Sequence, residues 1–260
     1  MNINVSSIIK GPTIPYPGAK ARLAPTLAAF MPSKGRVYLE PLVGRGNVFW
    51  TVALNHSFEH WHVNDISTAP FFDALRTVGD GIAVPPRTRK EFYRQKAKYA
   101  DGDPAAILLE PYLTFSGGGY KKGGFGSKHG PTVAGYQNAL RRCYDIMHAT
   151  RVKISRCDWR KLKLDGLTHE DFVFFDPPYF GADVRAYTNK FDFDGLLGTL
   201  KRAKFRWMLT EYRQPFYVEA LGEPQLQKSM QLACDGIGTR QRVECVWTNF
   251  ADSKVVLAAA

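Results

Sequence analysis

Phe172-Val173-Phe174-Phe175 is an unbroken apolar run, and it leads directly into Asp176-Pro177-Pro178-Tyr179. A strand with one wet face alternates polar and apolar residues. A strand apolar at every position is covered on both faces, which is the condition of a central strand in a parallel α/β sheet. Two adjacent prolines then fix φ and remove two N–H donors, so the chain leaves the strand through a stiff turn. In such sheets ligands bind beyond the carboxyl ends of the strands, which places Asp176 at a pocket.

The rest of the chain supports this reading. Residues 36–40 form a short strand ending at Pro41, and Leu42-Val43-Gly44-Arg45-Gly46-Asn47 is a glycine-bearing turn. A helix over 48–54 follows, then a strand over 61–65, then a helix starting near Ser67 and Thr68, both plausible caps. After Pro85-Pro86 the pattern breaks. Residues 87–100 read as a basic helix, 116–126 as a flexible loop with six glycines, and 134–149 as a helix. Strands resume at 152–155 and 206–210, and 241–246 with 254–257 suggest a terminal hairpin. The expected fold is α/β, a Rossmann-like sheet with an inserted, mainly helical module. The expected division is 1–80 and 150–260 for the sheet domain and 81–149 for the insertion.

Charge separates these parts. The chain carries 35 basic and 24 acidic side chains, net +11. Residues 87–163 hold 17 basic and 6 acidic, whereas 164–260 hold 11 and 13. A solvated face usually mixes signs. A one-sided basic segment is the footprint of a polyanion such as nucleic acid. Arg94, Lys96 and Lys98 can face phosphates. Lys121, Lys122 and Lys128, interleaved with Tyr120 and Phe125, lie on the glycine loop, which can order on DNA and place an aromatic near a flipped base. The alternative is a mobile surface loop.

No stretch reaches the roughly 20 apolar residues of a membrane span, and the N-terminus lacks a secretory pattern. The four cysteines form no C-x-x-C pair. A cytoplasmic protein with reduced thiols is expected. His56, His60 and His62 read as ordinary histidines, and no metal is assigned.

Asp176 and the Pro177 carbonyl can accept the two N–H protons of an exocyclic amino group while Tyr179 stacks on the base. Gly44 and Gly46 allow close backbone approach to a ligand. Asp65 ends the second strand, where it can accept from ribose hydroxyls or cap the next helix.

Several motifs stand in a telling order: P-Y-P-G-A-K at 15–20, E-P-L-V-G-R-G-N at 40–47, N-D at 64–65, a long insertion, C-D-W at 157–159, F-F-D-P-P-Y at 174–179, and V-E-C-V-W-T-N-F at 243–250. This resembles the Dam-like family of DNA adenine methyltransferases through almost the whole chain. Ala19 stands where the family often has a second glycine, and Thr210-Glu211-Tyr212 replaces its usual S-N-x-D. The insertion lacks the aromatic–asparagine run of GATC-reading members, so no recognition sequence is implied.

The resemblance implies S-adenosylmethionine as cofactor, contacted by Tyr16, Lys20, Glu40, Gly44, Gly46, Asp65, Asp158 and Asp176. Lys20 would take its carboxylate, Asp65 its ribose and Asp158 its adenine amino group. Asp176, Pro177 and Tyr179 become the catalytic set, and double-stranded DNA the partner. A cognate restriction endonuclease is a candidate partner, and the free chain is expected to be a monomer. The expected activity is methylation of adenine N6 in DNA. Its rivals are cytosine N4, RNA adenine or a protein amide as acceptor, or a silent DNA-binding relative.

Overall fold

The computed structural model describes residues 5–121, 123–126, 130–181, 191–233 and 239–250. Among these, seven strands form one sheet: β1 (Lys34–Glu40), β2 (Ser57–Asn64), β3 (Lys153–Ser155), β4 (Phe172–Phe175), β5 (Arg206–Tyr212), β6 (Leu226–Ala233) and β7 (Thr239–Thr248). Their order is β3-β2-β1-β4-β5-β7-β6. The first five are parallel, and β7 runs antiparallel to β5 and β6. The fold is therefore the expected mixed, Rossmann-like α/β sheet. Its strand order reverses between β1 and β4, so the topological switch point lies beside Asp176.

β4 is covered on both faces. Phe172 and Phe174 pack in one core with Tyr38, Val63 and Phe72, while Val173 and Phe175 pack in the other with Leu39, Leu209 and Trp247. The first face is roofed by α1 (Ala24–Phe30), α2 (Asn47–Asn55), α3 (Ala69–Val78), α5 (Pro104–Leu113) and α6 (Val133–Thr150), with α4 (Arg89–Ala100) outside them. The second is covered by α7 (Phe193–Arg202) and α8 (Pro215–Leu221). No helix of the described residues is long and apolar enough to cross a membrane.

Helix starts follow side-chain chemistry. Thr88, Asp103 and Thr132 each accept a backbone N–H three residues on, at 3.1, 2.9 and 3.0 Å, which satisfies donors that a helix leaves open. α5 went unread in the sequence although Asp103-Pro104 is a standard start signal. Its Leu108, Leu109 and Tyr112 join Phe71, Phe72 and Tyr136 in the core, so the inserted segment shares its apolar interior with the sheet.

One expectation changes. The glycine loop is closed rather than loose: Phe115 N–H donates to Gly124 O at 2.8 Å, and Gly126 N–H to Leu113 O at 3.0 Å. Gly117 has φ +69, and any Cβ there would overlap the Pro15 carbonyl. The glycines thus allow the segment to pack against the N-terminal P-Y-P-G turn. β7 forms an antiparallel hairpin with β6, and 254–257, the expected partner of 241–246, lie outside the described residues. β6 escaped notice because Leu226-Gln227-Lys228-Ser229 carries little apolar signal on an edge strand.

Candidate active site at the carboxyl edge of the sheet

Parallel strands deliver their last residues to one edge. Glu40, Asp65 and Asp176 follow or end β1, β2 and β4, and Thr210-Glu211-Tyr212 ends β5. Antiparallel β7 adds Glu244, paired opposite Tyr212. Asn64 stiffens the edge: its side-chain N–H group donates to Pro41 O at 2.9 Å and Cys157 O at 3.0 Å, and its oxygen accepts from Cys157 N–H at 3.1 Å.

Lys20 is at the centre. Its Nζ lies 3.0 Å from Asp176 Oδ1, 3.5 Å from Glu244 Oε1 and 4.3 Å from the Tyr179 ring centroid. The hydroxyl of Thr210 donates to the same Asp176 Oδ1 at 2.7 Å. The Tyr179 hydroxyl donates to Glu244 Oε1. Both of these Asp176 contacts fall on Oδ1. Its Oδ2 has no hydrogen-bond partner among the described residues, and the side chain stays 22% exposed.

Three further acids hold the frame. Glu40, 2% exposed, accepts from the Tyr38 hydroxyl, and burial holds its carboxyl well above the usual range. Glu211 is fully buried and accepts from Phe180 N–H at 2.9 Å and Tyr212 N–H at 2.7 Å. Burial pushes it up to about 8, against the pull of those two donors. Glu244 is 3% exposed.

The glycine turn is walled tightly. Gly44 and Gly46 take φ values of 55° and 76°, in the left-handed region. A Cβ on Gly44 would lie 3.1 Å from the Tyr16 ring, and one on Gly46 would lie 2.8 Å from the Trp50 indole. Asp65 holds this turn: Oδ2 accepts from Gly44 N–H at 3.1 Å, and Oδ1 accepts from Ser67 and Thr68 N–H at 2.7 and 2.8 Å. These bonds hold the turn that leads into α3, whose own N-cap position is Thr68. Thr68 gives its hydroxyl to Gly44 O instead of capping α3. Asp158 is engaged too. Arg160 forms an ion pair with it at 2.7 Å and, with the Arg160 N–H, holds its carboxyl down to about 2.

The basic segment divides. Lys96, Lys98 and Lys121 are exposed, whereas exposed Arg94 binds Glu91 through two hydrogen bonds at 2.6 and 2.8 Å. Lys122 and Lys128 lie outside the described residues. Tyr120, expected on an exposed loop, is 1% exposed and packs 5.5 Å from Phe92 and 5.2 Å from Tyr99. Phe125 is half-buried, 5.9 Å from Phe92. Exposed aromatic surface near this loop comes from Phe115 instead, at 58%. Tyr120→Ala should therefore act on stability, costing about 3–5 kcal/mol as a large core truncation does. Chemical denaturation checks this, and a loss below about 1 kcal/mol would contradict the burial.

Thr210 and Glu211 stood out in the sequence only as a departure from S-N-x-D, and Glu244 and Arg45 carried no assigned role. A glutamate inside the otherwise apolar V-E-C-V-W was the available signal for Glu244. His56 and His62 bond to Pro32 O and Ser155 Oγ at 2.9 and 2.5 Å, positions within the scaffold.

No family model matches the chain, and no curated protein sequence does. Solved structures show a distant likeness. One is a candidate RNA methyltransferase from Pyrococcus horikoshii, 9% identical, with 94% of this chain and 93% of that chain covered and a TM-score of 0.40. Another is the C-terminal domain of precorrin-6Y C5,15-methyltransferase from Rhodobacter capsulatus, 10% identical, with 92% and 97% covered and a TM-score of 0.40. A third is an rRNA methylase from Streptococcus thermophilus, 8% identical, with 87% and 94% covered and a TM-score of 0.37.

Proposed function

We propose that this chain transfers a methyl group from S-adenosylmethionine to the N6 amino group of adenine in DNA, as its resemblance to the Dam-like family implies. The observation that carries the reading is Asp176. At the switch point of the sheet its Oδ1 is held by Lys20 and Thr210, while Oδ2 has no partner among the described residues. A carboxylate oriented on one oxygen and open on the other is suited to accept one N–H of an amino group. The Pro177 carbonyl supplies the second acceptor, and the Tyr179 ring supplies a stacking face.

The residues present fit the cofactor. The Gly44 turn, walled by Tyr16, is a cradle that a Cβ would fill. Asp65 Oδ2 accepts from Gly44 N–H, which leaves acceptor capacity for a ribose hydroxyl. When bound, S-adenosylmethionine supplies an electrophilic methyl group. Asp176 and Pro177 orient the amino nitrogen so that its lone pair points at that methyl, and orientation with electrostatic stabilisation accounts for most of their effect. The target base would be flipped out of the duplex to reach them.

The exposed basic residues give DNA its docking face. Affinity for duplex DNA should fall steeply with salt, since each neutralised phosphate releases counterions. Replacing Arg94, Lys96 and Lys98 together should weaken binding to all sequences alike. Because Arg94 is already paired with Glu91, and Lys98 lies 3.9 Å from Asp103, the salt slope should drop by less than the roughly 3 expected of three free cations. An unchanged slope would mean that α4 faces away from the DNA. The activity itself is tested by sequencing DNA from cells that express the chain. Methylated adenines at defined positions support the reading, and an unmodified genome contradicts it.

A further inference from the structure

We propose that Glu244 is a positioning residue, which fixes Tyr179 through its hydroxyl and shares Lys20 with Asp176; this rests on the methyltransferase reading. Glu244 reaches the site from β7, the antiparallel strand, far in sequence from every other member. Its Oε1 accepts from the Tyr179 hydroxyl and lies 3.5 Å from Lys20 Nζ. It is 3% exposed, so water does not compete for these contacts.

Each contact has a consequence at Asp176. Lys20 lies over one face of the Tyr179 ring, and Tyr212 meets that ring edge-on with centroids 4.5 Å apart. The hydroxyl bond to Glu244 removes the remaining freedom of the ring to swing. Its plane, against which a base would stack, is thereby set. Lys20 meanwhile sits between two carboxylates. Without Glu244 more of its charge would fall on Asp176, drawing it over the carboxylate that must face the amino group. Burial, with the Asp176 and Glu244 carboxylates beside it, holds the Tyr179 hydroxyl well above the ordinary tyrosine range, consistent with a permanent donor.

Two measurements test this. In the first, tyrosine labelled with ¹³C at Cζ is followed by NMR, with the Tyr179 signal identified by its absence in Tyr179→Phe. That signal should shift in both Glu244→Gln and Glu244→Ala, and an unmoved signal overturns the contact. In the second, methyl-transfer kinetics are compared across variants. Glu244→Ala should lower kcat about ten- to a hundred-fold, the loss of a charge-assisted hydrogen bond. Glu244→Gln, which keeps an acceptor for the hydroxyl but loses the charge, should fall between Glu244→Ala and the parent. The double variant Tyr179→Phe/Glu244→Ala should be little worse than the poorer single variant. A parent-like kcat in Glu244→Ala, or a double loss equal to the product of the single losses, overturns the proposal. If the parent protein transfers no methyl group to any nucleic acid, the methyltransferase reading fails, while the NMR shift still decides whether Glu244 holds Tyr179.

Discussion

Replacing Asp176 with alanine is expected to abolish useful turnover while the protein stays folded. The carboxylate follows β4 at the switch point and keeps an open oxygen, so its loss removes the acceptor at the reacting nitrogen. A positioned group of this kind is worth on the order of 10²–10⁴-fold in kcat. The fold should survive because the side chain is 22% exposed and Lys20 retains Glu244 at 3.5 Å. Asp176→Asn, which keeps an acceptor oxygen but loses the charge, should recover part of the rate. Turnover of labelled cofactor beside a thermal melt separates the two effects. A near-normal kcat in Asp176→Ala would remove the residue from the mechanism.

Glu110→Ala is expected to destabilise the protein as strongly as a large core truncation. Arg45 belongs to the glycine turn, and Glu110 to α5 of the inserted segment. Their side chains form an ion pair with 7% exposure on each side. The other Glu110 oxygen accepts from Tyr120 N–H at 3.2 Å, and the Arg45 guanidinium stacks 4.9 Å from the Phe71 ring. Removing the carboxylate leaves a buried, uncompensated cation, which costs about 3–5 kcal/mol. For a domain of this size that lowers Tm by roughly 6–20 °C. Replacing both partners with apolar residues, as in Arg45→Met/Glu110→Leu, should recover most of the loss, because no charge is then stranded. Calorimetric melting of the single and double variants checks this. A Glu110→Ala protein that melts with the parent would show that the pair does not hold the turn to the insertion.

The parts of this molecule legible in the sequence are those whose cause is local. The apolar run of β4 and the two prolines after it specify a buried parallel strand and a stiff turn, and both are present. Gly44 and Gly46 announce a turn that only positive φ permits, and that is what they adopt. Other features are decided across the sheet. Glu244 and Thr210 reach Asp176 and Lys20 through the registers β4–β5 and β5–β7, and no spacing along the chain encodes those pairings. Asp65 offered two readings because one carboxylate can cap a helix or accept a hydroxyl. In the structure it grips Gly44 and the turn before α3. Tyr120 was misread for a physical reason: an aromatic among glycines suggests an open loop, yet residues without Cβ also pack most closely. The ring is buried because the glycines around it let the chain fold back on α5.

The central claim is a chemical one, and product analysis tests it most directly. Purified protein is incubated with S-adenosylmethionine carrying a deuterated methyl group, and with unmethylated duplex DNA and RNA in separate reactions. The nucleic acids are then digested to nucleosides for mass spectrometry. The label is expected in N6-methyl-deoxyadenosine from the DNA, and is expected to be lost when Asp176→Ala replaces the parent protein. Label found only in methylcytosine or only in RNA would contradict the adenine-in-DNA assignment, and no label in any product would contradict the methyltransferase reading itself.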